Sequence, residues 1–105
     1  MSDRLLVLTT YPDAAGAEDL ARTLVRERLA ACVNVLPRMT SIYMWQGEEQ
    51  RGEEHQLFIK THAGRFEALK ARIEALHPYE VAEIIALPIT HGLDAYLNWI
   101  DESTS

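Results

Sequence analysis

Residues 4–11 carry an unbroken apolar run, Leu5-Leu6-Val7-Leu8-Thr9-Thr10, which predicts a strand covered on both faces. After Pro12-Asp13 the period changes. Ala17, Leu20, Ala21, Leu24, Val25 and Leu29 recur at helical spacing, with Glu18, Asp19, Arg22, Arg26, Glu27 and Arg28 on the other side. Asp13 can accept from the first free amides of that helix. From Cys32 the texture turns β-branched and aromatic: Val33-Asn34-Val35-Leu36, then Pro37, then Met39 through Trp45. Proline cannot donate to a ladder, so Pro37 implies a bulge or an edge in one long strand. Gln46-Gly47-Glu48 predicts a turn, and Gln56-Leu57-Phe58-Ile59-Lys60-Thr61 a returning third strand. Phe66, Leu69, Ile73 and Leu76 then form the stripe of a second helix that stops before Pro78. Ile84-Ile85-Ala86-Leu87 predicts a buried fourth strand within about 83–89, with Pro88 at its frayed end or an edge. Leu93, Tyr96, Leu97 and Ile100 line a short terminal helix after Gly92.

The order β-α-β-β-α-β plus a C-terminal helix predicts an α+β, ferredoxin-like domain over 1–105, both crossover helices on one face of an antiparallel sheet. A second strand running from Val33 to Trp45 would reach roughly 40 Å at about 3.3 Å per residue, against a radius of gyration near 13 Å for a domain this size. Such a long hairpin arm overshoots its own body. Carrying Ile42, Tyr43, Met44 and Trp45, it predicts an obligate homo-oligomer with strands paired between subunits. The alternative is a mobile hairpin lying across its own sheet.

A net charge of −6 argues against nucleic acid as partner, since phosphate binding draws on clustered Lys and Arg. No apolar stretch approaches the roughly 20 residues of a membrane span. The first eight residues lack the apolar region and cleavage site of a secretory signal, so the expected compartment is the cytoplasm. Cys32 is the single cysteine, which excludes an intrachain disulfide and a CxxC centre. The densest chemistry is His77-Pro78-Tyr79-Glu80-Val81-Ala82-Glu83, an imidazole, a phenol and two carboxylates between a helix and a strand.

Five separated stretches, Leu29-Ala30-Ala31-Cys32-Val33-Asn34, Ser41-Ile42-Tyr43-Met44-Trp45-Gln46-Gly47, Lys60-Thr61, His77 through Glu83, and Tyr96-Leu97-Asn98-Trp99-Ile100, together resemble the CutA family of divalent-cation tolerance proteins. The resemblance spans nearly the whole chain. It implies a ferredoxin-like homotrimer assembled through its long strands, and a link to copper and other divalent metals. Copper ligands proposed in that family, a cysteine in the first strand and two adjacent histidines before Pro-Tyr, fall here on Thr9, Leu76 and His77, so only the last carries over. The family's architecture is also similar to that of PII-like regulators, which implies a trimeric signalling module binding a small metabolite as the alternative function.

His77 is thus the first metal candidate, its neutral imidazole suiting Cu(II) with Glu80 or a neighbouring subunit completing the shell; the competing role is a helix-terminal hydrogen bond. Cys32 is the second, a soft thiolate for Cu(I) or a small buried hydrophobe. His55, His62 and His91 are scattered, and Glu48, Glu49, Glu53 and Glu54 mark a solvated hairpin tip. Tyr43, Trp45, Lys60, Tyr79, Glu80 and Glu83 combine aromatic walls with charges on segments that the family fold brings near a subunit boundary, where they either hold a small ligand or seal the interface. No catalytic triad, phosphate loop or open metal triad is present in the pattern. The sequence therefore predicts a non-enzymatic, cytoplasmic homotrimer for divalent metal tolerance. It requires no cofactor, and Cu(II) or another divalent cation is its candidate ion.

Overall fold

A computed structural model of the chain describes residues 3–105. Strand β1 (Arg4–Tyr11) leads into helix α1 (Ala14–Arg26), then β2 (Cys32–Val35), β3 (Met39–Trp45) and β4 (Glu48–His62). A 3-10 turn, Ala63–Arg65, opens α2 (Phe66–Leu76), followed by β5 (Ile85–Pro88) and α3 (Asp94–Ser103). The sheet order is β2-β4-β1-β5, antiparallel throughout, with β3 paired to β4 alone. This is the predicted ferredoxin-like order: each crossover helix joins two strands separated by a third.

The strand period of two sorts the sheet into unlike faces. In register, Val7, Ile59 and Val33 form one row and Thr9, Leu57 and Val35 the next, all facing α1 and α2. There Leu20 and Leu24 of α1 and Leu69 and Ile73 of α2 close the core. The opposite rows read Leu87, Leu6, Lys60, Cys32 and Ile85, Leu8, Phe58, Asn34. α1 and α2 leave this face open; α3 reaches only its Arg4, His62 and Cys32 end, and at the β5 edge Ile85 and Leu87 are 52% and 44% exposed. The coverage on both faces expected of the first strand and the burial expected of the fourth are therefore corrected, because the chain's own crossover helices shield one side only.

The arm corrects a second expectation. Residues 36–38 break the predicted long strand into β2 and β3, and β4 supplies the continuity instead, from Glu48 rather than Gln56. Gln46 and Gly47 take φ of 51° and 83°, the two left-handed positions of a two-residue hairpin turn. Glu53 and Glu54 thus sit within a strand and not at a tip. The arm gives the molecule a 44 Å long axis and leaves Ile42 and Met44 largely exposed. It extends outward from the body as predicted.

Asp13 caps α1, its carboxylate accepting from the Gly16 amide at 2.8 Å. The helix ends at Arg26, short of the predicted Leu29, because Arg28 turns left-handed at φ 61° and the Leu29 and Ala30 amides both return to the Leu24 carbonyl. Arg28 is held there by donating to the Glu102 carbonyl at 2.6 Å. α3 buries Ile100 and is clamped by a two-pronged Arg4–Asp101 ion pair, 3.0 and 2.6 Å. Leu93 and Tyr96, expected on its packed stripe, remain exposed.

Candidate functional site

Residues 77–84 connect α2 to β5 and fold back against the base of the arm. His77 anchors them. Its Nε2 lies 2.5 Å from the Thr10 carbonyl and its Nδ1 3.1 Å from the Tyr79 amide nitrogen. A carbonyl only accepts and an amide only donates, so Nε2 carries the proton and Nδ1 the engaged lone pair. The ring stacks obliquely between Tyr11 and Tyr79, at 5.3 and 4.8 Å between centroids.

Beyond this anchor opens a groove of about 890 Å³ between the loop and the arm. Residues paired across a hairpin share a face, so Met39, Ser41, Tyr43 and Trp45 of β3 project with Glu54, Gly52, Gln50 and Glu48 of β4. Tyr79, Glu80 and Glu83 form the opposing wall. Tyr79 donates its hydroxyl to Glu54 Oε1 at 3.2 Å, and the Gln56 amide donates to Glu83 Oε2 at 3.1 Å, tying wall to wall. Of the predicted cleft residues, the structure brings together Tyr43, Trp45, Tyr79, Glu80 and Glu83. Lys60 stands apart, farther along the open face, where its ammonium donates to Asn34 Oδ1 and lies 3.9 Å from the Cys32 sulfur. Burial, and then the neighbouring Cys32, raise the pKa of Tyr96.

Glu54, Gln56, Thr10 and Ser41 also line the groove and were not among the cleft residues expected from the sequence. The alternation 52, 54, 56 along β4 carries the signal, once the strand is started at Glu48.

Tyr79 has its pKa pushed up to about 12, by burial first and then by the Glu54 charge and hydrogen bond. The folded value exceeds the ordinary 10, so the stability this phenol contributes is complete below pH 10 and lost as pH rises from 10 towards 12. Ultraviolet titration is expected to show Tyr79 and Tyr96 ionising later than the other two of the four tyrosines, and Glu54→Gln to bring the Tyr79 step part of the way back towards 10. An unshifted late step in the variant would place the cause elsewhere.

The copper ligands implied for the family do not fit this chain. Thr9 is buried on the helix-covered face, and both His77 nitrogens are engaged. Thr10, which holds His77, and Cys32 are on the order of 15 Å apart, four residues along β1 and two strands across. Among the described residues no group of three or more His, Cys, Asp or Glu side chains is placed to hold a metal. Nor is any helix among them long and apolar enough to cross a membrane.

Residues 5–103 match the family described as CutA1 divalent ion tolerance protein. The chain is 52% identical over 99 residues to a divalent-cation tolerance protein CutA of Thermus thermophilus, covering 94% of this chain and 96% of that one. It is 44% identical over 100 residues to a chloroplastic CutA of Arabidopsis thaliana, covering 95% of this chain but 55% of the relative. The crystal structure of CutA from Xylella fastidiosa superposes with a TM-score of 0.96 at 46% identity, covering 99% of this chain and all of that one.

Proposed function

The chain belongs to the CutA1 divalent ion tolerance family, and from that premise we propose that it contributes to divalent-cation tolerance as a cytoplasmic homotrimer. It is a binding protein with no reaction of its own, and it meets copper weakly or indirectly. The observation that supports assembly is the apolar face turned away from α1 and α2, where Ile85 and Leu87 are exposed beside half-buried Leu6, Leu8 and Phe58. The arm, bearing exposed Ile42 and Met44, extends this need for a neighbour. A lone thiol suits a reducing compartment.

Copper would meet this chain at His77 or at the Cys32 thiol. At His77 it must displace the Thr10 or Tyr79 backbone partner, which weakens any binding. Native mass spectrometry during a copper titration against a competing chelator tests both parts. A trimer that yields its copper to the chelator supports the reading. A monomer overturns the assembly, and a trimer retaining three coppers overturns weak binding.

His77→Ala is expected to change copper affinity by less than about threefold, while the orphaned groups cost about 1–3 kcal/mol of stability. A tenfold or larger loss of affinity in the same titration would instead make His77 a true ligand.

A further inference from the structure

We propose that the groove between the arm and residues 78–83 is a binding site for a small alkylammonium cation, held by the faces of Tyr43, Trp45 and Tyr79 and the charges of Glu54, Glu80 and Glu83. The inference does not rest on the divalent-cation reading.

The groove's volume, about 890 Å³, is that of a small-molecule site. Its charge selects the occupant. Three carboxylates line it, and no Lys, Arg or His does. The arm's basic residues turn away from it: Arg51, by strand alternation, and Arg38, just before β3, lie 3.6 and 3.8 Å from Glu53, which projects from the opposite face to Glu54. Anionic metabolites are therefore repelled. A hard dication needs several oxygens converging on one point at about 2.0–2.6 Å, and these carboxylates do not converge. An organic cation needs no such point. Its charge is satisfied by dispersed carboxylates, and its CH₂ or CH₃ groups spread over aromatic faces, to which the cation is also attracted.

In the single chain the groove's aromatic rings are accessible: Tyr43 is 49%, Trp45 39% and Tyr79 41% exposed. Tyr79 and Gln56 each take one oxygen of a carboxylate, Glu54 and Glu83 respectively, which fixes these side chains and leaves each a second oxygen for the ligand. Glu80 adds a third negative charge on the loop wall. The site is thus positioned before a ligand arrives, which lowers the ordering cost of binding.

The test uses the full chain in its assembled form with Trp99→Phe, so that Trp45 is the sole indole. Indole emission is followed during titration with n-butylammonium, and in parallel with n-butanol and n-butyrate. Saturable binding on the order of millimolar is expected for the cation alone, as suits a ligand of so few atoms. Glu80→Gln with Glu83→Gln should weaken it about two- to tenfold, and added salt should do the same. An equal response to butanol would overturn the proposal by reducing it to apolar contact. So would no saturable response, the result if a second copy of the chain fills the groove, or an affinity unchanged in the double variant.

Discussion

Leu87→Glu is expected to leave the chain folded and to abolish its assembly. Leu87 is on edge strand β5, facing away from α1 and α2, and is 44% exposed in the single chain. A carboxylate there costs the isolated fold little. In the proposed trimer the same position meets neighbouring subunits, and every copy brings its own charge into the seam. Full burial of a leucine side chain contributes about 1.5–3 kcal/mol, which is forfeited at each copy. An unpaired carboxylate taken out of water costs several kcal/mol more. The native mass is expected to fall to that of the single 11.9 kDa chain, with the far-ultraviolet circular dichroism retained. An undiminished oligomer mass would show that the open face is not the assembly surface.

That surface was half legible in the sequence. The unbroken apolar run of residues 5–8 announced a strand covered on both sides and that of 84–87 a buried one, and such a run does not say whether its cover belongs to the same chain. Here α1 and α2 supply one cover, and on the other side Leu6 and Leu8 are half-buried while their partners Leu87 and Ile85 are left exposed. The outer half of β4 was illegible for the opposite reason. Glu48 through Glu54 pair with β3 away from the core, so polar residues occupy both faces and no apolar alternation marks a strand. The backbone ladder seeded by the Gln46-Gly47 turn makes it one. The early end of α1 had no local signal either. Leu29 keeps the helical spacing and is buried, yet Arg28, neither glycine nor asparagine, takes the left-handed φ because the C-terminal segment holds its guanidinium.

The site shows the same division between local and distant information. His77, Tyr79, Glu80 and Glu83 stood out because their chemistry is compressed into seven residues. Tyr43 and Trp45 stood out because aromatics on an overshooting arm need cover. Glu54 holds Tyr79 from a part of β4 expected to be a hairpin tip, and Gln56 holds Glu83 from the first residue of the expected third strand. Lys60 was grouped with them by charge alone, but its register beside Leu6 and Cys32 sets it four residues down β4 from Gln56. What a strand residue can touch depends on parity and register, and both follow from where the hairpin turns.

Ile59→Ala is expected to be the most damaging single truncation, and its contrast with Ile85→Ala tests the two-faced sheet. Ile59 is fully buried on the central strand β4, between Val7 of β1 and Val33 of β2, beneath the crossover helices. Removing its outer carbons leaves a cavity walled by two strands and two helices that cannot all collapse inward, a loss of about 2–5 kcal/mol. A domain's whole stability is about 5–15 kcal/mol, so this is a large share of it. Ile85 is 52% exposed on the open face and has far less to lose in the single chain. In the monomeric Leu87→Glu background, urea unfolding should show Ile59→Ala lowering the midpoint by at least about 1 M with little change in slope, and Ile85→Ala barely moving it. In the assembled parent, at fixed protein concentration, Ile85→Ala should become costly as well, because its side chain is then covered. Equal effects of Ile85→Ala in the two backgrounds would mean that no subunit covers that face, and would leave the apolar rows of β1 and β5 without a partner.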